Sequence, residues 1–119
     1  MREILFRAKN HSGEWVYGYY VNQYGVHEIR SRDDDKHQDA GYYIEPETVG
    51  QYTGLKDKNG NKIFEGDILE YAGERYYISF LQKYARFAAV KPHSVFVGFA
   101  YERGEVIGNV YDDENLLEG

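Results

Sequence analysis

The groups best suited to chemistry in this chain are its carboxylates, its histidines and its tyrosines. The densest carboxylate run is Asp33-Asp34-Asp35-Lys36-His37-Gln38-Asp39. A hard cation needs several oxygens at once, but this string lacks the ligand order of a calcium loop and the glycine that turns one. A run of like charges reads as a solvated segment. The four histidines, His11, His27, His37 and His93, show no i, i+4 spacing for zinc on a helix. His11-Ser12 and His93-Ser94 are neighbours in sequence, yet a working Ser–His pair also needs spatial geometry and a third orienting group. They read as exposed turn histidines. With no Cys, disulfides and thiolate catalysis are excluded. No metal, cofactor or catalytic set is expected, and the chain reads as a non-enzyme.

Two further clusters have structural roles ready to hand. Asp57-Lys58-Asn59-Gly60 lacks the glycine spacing and following helix of a phosphate-cradling loop. Asn59-Gly60 is instead a hairpin dipeptide, because both residues tolerate positive φ. In Glu65-Gly66-Asp67 the glycine permits a tight turn and Asp67 can accept backbone N–H bonds. The tyrosine pairs offer a binding surface. Tyr19-Tyr20, Tyr42-Tyr43 and Tyr76-Tyr77 each put one ring on either face of a strand. Tyr19, Tyr43 and Tyr77 are the candidates for an outer stripe, with Arg30, Arg32 and Arg75 supplying charge. Such a stripe suits a subunit or protein interface, or a single-stranded nucleic acid.

The elements that must position these groups are short strands punctuated by turns. Residues 2–8 and 14–21 read as strands around the Lys9-Asn10-His11-Ser12-Gly13 turn, with Trp15, Tyr17 and Tyr19 on one parity and Val16, Gly18 and Tyr20 on the other. Residues 24–31 form a third strand, 32–41 an exposed loop and 42–44 another extended segment. Strands follow at 68–71, 75–81, 86–91, 95–101 and 105–111, and a helical turn at 112–117 lets Leu116 and Leu117 pin the tail. Residues 82–89 also fit a helical face, through Tyr84, Phe87 and Ala88. The expected fold is mainly β with minor α, in one domain spanning 1–119. It is a small curled antiparallel sheet or SH3-like barrel core with additional strands.

The segment Gly50-Gln51-Tyr52-Thr53-Gly54-Leu55, with Asp57, Asn59-Gly60, Ile63 and Glu65-Gly66-Asp67-Ile68, resembles the centre of the YopX-like family of bacteriophage and prophage proteins. The start, Ile4-Leu5-Phe6-Arg7-Ala8 followed by Trp15, is similar to that family's opening. Val106-Ile107-Gly108-Asn109-Val110-Tyr111 and Asn115-Leu116-Leu117 are similar to its end. The resemblance departs at Asp113-Glu114, where similar proteins have proline. It implies a β-rich fold, a phage or prophage origin and self-association, and it implies no catalytic residue. The motif residues Gly50, Tyr52, Thr53, Gly54, Asp57, Asn59, Gly60, Gly66, Asp67, Ile68, Gly108 and Asn109 are expected to be structural.

Tyr outnumbers Phe by 13 to 6, which favours half-exposed sheet faces and contact surfaces over a purely buried role. The net charge of -6 disfavours nucleic acid. No apolar run approaches the roughly 20 residues that span a bilayer, and the N-terminus is too charged for a signal peptide. The sequence thus reads as a phage accessory protein of the bacterial cytoplasm, away from the membrane. It is expected to bind a phage or host protein and to form a homo-oligomer. The alternative is a nucleic-acid-associated factor in phage replication or regulation.

Overall fold

A computed structural model describes residues 3–30, 41–93, 97–98 and 101–118, with Val97 described by its backbone alone. Arg32, the Asp33–Asp39 run with His37, and part of the expected 95–101 strand lie outside the described residues. The fold is mainly β, with two antiparallel sheets. The chain divides into two compact units, Met1–Tyr52 and Thr53–Gly119.

The first unit contains β1 (Phe6–Lys9), β2 (Trp15–Gln23), β3 (Val26–Arg30), β4 (Gly41–Tyr43) and the start of β5 (Gly50–Lys56), hydrogen-bonded in the order β4-β3-β2-β1-β5. The β2–β3 connection is a two-residue hairpin made by Tyr24 (φ +54°) and Gly25 (φ +77°). Positive φ at both central positions matches the twist of the flanking strands. The expected strand 24–31 therefore starts two residues later. Alternation in β2 sends Val16 and Tyr20 inward, where they pack with Phe6 and Val49 against buried Ala8, Ile29 and Ile44. Beyond β4, Ile44 forms an isolated bridge with Asn10, and the Glu45 N–H donates to the Lys9 carbonyl at 2.8 Å. The strands thus curl until the extension of β4 meets the end of β1. This contact is one bridge rather than a ladder, so the described residues form no closed SH3-like barrel.

A short 3-10 helix, Pro46–Thr48, follows. Thr48 is buried, and its Oγ1 accepts the Lys9 N–H at 2.8 Å and donates to the Glu45 carbonyl at 2.6 Å. Thr48→Val keeps the shape and removes both bonds. It is expected to cost about 1–2 kcal/mol in urea unfolding, because the Lys9 N–H loses its partner while partly buried.

The second unit contains the end of β5, β6 (Lys62–Phe64), β7 (Asp67–Tyr71), β8 (Glu74–Leu81), β9 (Arg86–Val90), β10 (Val97–Gly98) and β11 (Glu105–Asn109). Five of these pair in the order β10-β9-β8-β7-β11. One face carries a core of buried Ile63, Leu69, Ile78, Phe87, Ala89 and Tyr101, with Tyr76 and Val106 packed against it, while Ile68 and Ala88 of the opposite parity are also buried. Phe80 meets Phe87 edge to face, with centroids 5.2 Å apart. Residues 82–85 turn and 86–90 pair with β8, so this stretch is strand rather than helix. Helical structure among the described residues is confined to the 3-10 turns Pro46–Thr48, Tyr101–Arg103 and Glu114–Leu117. The expected minor α content is thus absent there, because each of these segments is only three or four residues long, shorter than a stable α-helix needs. No helix among the described residues is long and apolar enough to cross a membrane.

Candidate functional site

The outer face of the first sheet follows from the same alternation that builds its core. Opposite Val16 and Tyr20, β2 projects Trp15, Tyr17 and Tyr19. Register places Tyr19 directly across from Arg30, and Tyr43 across from Glu28. Arg30 and Glu28 are two residues apart on β3, so Tyr19, Arg30, Glu28 and Tyr43 share one face. Arg30 Nη2 donates to Glu28 Oε1 at 3.2 Å. Tyr17, Tyr19 and Tyr43 are 50%, 46% and 63% exposed, and Val26 on the same face is also exposed. Toward β1 the face meets half-buried Trp15 and Lys9, and Arg7 beside them is buried. The Arg7 guanidinium lies 4.6 Å and the Lys9 ammonium 5.5 Å from the Trp15 ring centre, within reach of cation–π attraction.

This face brings together Tyr19, Tyr43 and Arg30 of the expected stripe. The other two described members belong to the second unit. Tyr77 is half-buried in β8 across from Ile68. Arg75 is tied locally: its Nε donates to Glu70 Oε2 at 3.3 Å and its Nη1 to the Leu116 carbonyl at 3.0 Å. That bond holds the tail turn in which Leu116 and Leu117 are half-buried. Tyr17, Val26 and Trp15 join the face without having been named as binding candidates. The shared parity of residues 15, 17 and 19 was the signal that pointed to two of them.

The central motif residues occupy positions inside the fold. Gly50 is buried across from Arg7. Tyr52 is buried, and burial first and the Glu3 carboxylate second push its phenol pKa up. Thr53 Oγ1 donates to the Ile63 carbonyl at 2.8 Å and accepts the Leu55 N–H at 3.2 Å, while Gly54 adopts φ +91°. Ile68 is fully buried.

Asp57 is the hub of this block. Its Oδ1 accepts the Asn59 and Asn61 N–H groups at 2.9 and 2.8 Å. Its Oδ2 accepts the Val106 N–H at 2.9 Å and the Asn61 side-chain amide at 3.3 Å. Burial alone would raise the carboxyl pKa, but these four donors outweigh it and hold it below its ordinary value. The turn itself departs from the expected two-residue form. Gly60 has φ +85°, Asn59 keeps negative φ, the Gly60 N–H bonds to the Asp57 carbonyl and the Asp57 N–H to the Asn61 carbonyl. This is a three-residue loop with a bulge at glycine. It leaves the Asp57 carboxylate over the loop, free to reach Val106.

The Glu65-Gly66-Asp67 turn is similarly tied. Asp67 Oδ2 accepts the Phe64 N–H at 2.7 Å. The Gly66 N–H bonds to the Ile78 carbonyl, and the Gly66 carbonyl accepts the Val110 N–H, each at 2.8 Å. At the tail, Asn109 Oδ1 accepts the Tyr111 and Asp112 N–H groups. Asp113 Oδ2 accepts the Asn109 N–H at 3.1 Å and lies where a Cβ on Gly108 would stand.

Histidine roles are local as well. His27 is half-buried on β3, with its Nδ1 2.6 Å from the Tyr20 hydroxyl, so it is no turn histidine. Exposed His11 lies 2.9 Å from Glu45, and His93 is exposed in a turn. Among the described residues no three His, Asp or Glu side chains come together as metal ligands.

Comparison with known proteins agrees with this architecture. The model of the YopX protein family matches residues 5–118. The chain is similar to the crystal structure of protein EF1440 from Enterococcus faecalis, with a TM-score of 0.56 and 28% identity, covering 99% of this chain and 100% of that one. No curated protein matches the chain.

Proposed function

The chain belongs to the YopX family, and on that premise we propose that it is a phage or prophage accessory protein that acts by binding another protein and catalyses no reaction. The observation that carries this reading is the outer face of β2, β3 and β4, where Tyr17, Tyr19 and Tyr43 stand exposed around Arg30. Tyr and Arg are the residue types that most often anchor protein interfaces, because each offers a large contact area together with a polar end. Among the described residues, the groups with displaced pKa values have structural occupations, Asp57 within its loop and Tyr52 in the interior. The partner meets this face in the bacterial cytoplasm, and a second copy of the chain is one such partner.

The test is affinity capture with the full chain from the phage-bearing host, with and without nuclease, repeated with Tyr19→Ala and Arg30→Glu. A partner that survives nuclease and is weakened roughly 10- to 30-fold by either substitution is the expected result. A partner held equally well by both variants would remove this face from the reading. Light scattering at micromolar concentration should give a mass above that of one chain, and a monomer would remove self-association.

Half-buried Trp15 with Lys9 over its ring favours a second reading, a single-stranded nucleic acid stacked on the same sheet. That reading requires capture that vanishes with nuclease, and binding that weakens steeply with salt.

A further inference from the structure

Among the described residues, the core face of the second unit leaves an open cavity. Leu69, Tyr76, Ala89 and Tyr101, all part of that core or packed against it, also line a cavity of about 150 Å³. The cavity continues to Tyr71, which is 48% exposed and marks its mouth. The cavity is open on one side, and an apolar space of about 150 Å³ is large enough for a benzene-sized guest. One wall is built for closeness. A Cβ on Gly104 would stand 3.2 Å from the Glu70 carbonyl oxygen and 3.3 Å from Leu69 Cδ2. The glycine lets the backbone approach β7 directly. None of the described lining residues is charged, so a charged guest would lose its hydration without compensation. Three of them are tyrosines, whose rings favour another aromatic ring through edge and offset contacts.

We propose that this cavity is a binding site for a small uncharged molecule built on one aromatic ring, of phenol or indole size. It is independent of the outer face of the first unit, and either assignment can stand without the other.

The experiment uses the full chain labelled with nitrogen-15 and titrated with phenol, indole and, as an aliphatic comparator, cyclohexanol. Saturable amide shifts centred on Leu69, Ala89, Gly98 and Gly104 are expected with the aromatic probes, with weaker binding of cyclohexanol. Ala89→Leu extends a side chain into the cavity and should abolish those shifts in a folded protein. Tyr71→Ala, at the exposed mouth, leaves the core intact and should weaken phenol binding roughly 2- to 10-fold, the worth of one aromatic contact. Absence of saturable shifts in the unaltered chain would overturn the proposal. So would full binding in folded Ala89→Leu, unchanged binding in Tyr71→Ala, or cyclohexanol binding as tight as phenol.

Discussion

Asp57→Ala is expected to destabilise the second unit by about 3–5 kcal/mol, read as a fall in the urea midpoint at neutral pH. The substitution strips partners from the Asn59, Asn61 and Val106 N–H groups at once. Each buried donor left unsatisfied costs about 1–3 kcal/mol, less where water can enter the opened loop. Asp57→Asn should fall between the two, since one oxygen remains while an NH₂ group now faces donors. The pH dependence has a definite sign. The folded-state pKa lies below the ordinary 3.8, so the folded protein binds fewer protons than the unfolded chain in this range. The contribution is complete above the unfolded-state value and is lost as pH falls through the lower folded-state value. Stability measured down an acid series should therefore decline less steeply in Asp57→Ala than in the unaltered chain. Equal midpoints for the two proteins at neutral pH would show that the loop carboxylate does not hold the fold.

Gly66→Ala is expected to cost about 2–4 kcal/mol, from two separable sources. The residue sits at φ +92°, where an L side chain is strained whatever the space around it, and an added Cβ would stand 3.0 Å from Tyr111 Cε2. Tyr111 is 39% exposed, so its ring can yield; the backbone cannot, because the N–H of Gly66 is bonded to Ile78 in β8 and its carbonyl to Val110 just past β11. Tyr111→Ala in the Gly66→Ala background should consequently restore the smaller part of the loss. Thermal unfolding of the four proteins of this cycle separates the terms. Full recovery in the double variant would assign the whole effect to the ring, and no loss in Gly66→Ala would remove the turn's claim on glycine.

What was legible in the sequence was mostly local. Asn, Asp and Gly declare turns through their own backbone preferences, and the 57–61 and 65–67 turns stand where those residues stand. Alternation in β2 likewise separated core from surface before any contact was known. The errors arose where a distant partner decides. The Tyr24-Gly25 hairpin puts an aromatic residue at positive φ because strand pairing demands it there. Asn59-Gly60, the stronger dipeptide, does not form the two-residue turn, because its loop is shaped around Asp57. Strand β5 carries little strand signal in the sequence: two glycines within seven residues weaken it, and its extended state comes from pairing. Arg75 is an exposed charge, but nothing near it in sequence reveals the Leu116 carbonyl 41 positions away to which it donates. The face of Tyr19, Arg30 and Tyr43 could be suspected residue by residue, but only register shows that they meet.

The Asp57 carboxylate receives its Val106 donor from 49 positions downstream, and Gly66 waits for Val110 in the same way. A chain growing from its N-terminus therefore makes both turns long before either can be completed. While β11 is still missing, the carboxylate lacks one of its N–H partners and β7 presents an unpaired edge to its surroundings. The order of manufacture is thus opposite to the order of need. Strand β11 is made after the turns it secures, and a chain cut short before residue 106 carries both turn motifs without the Val106 and Val110 N–H groups that complete them.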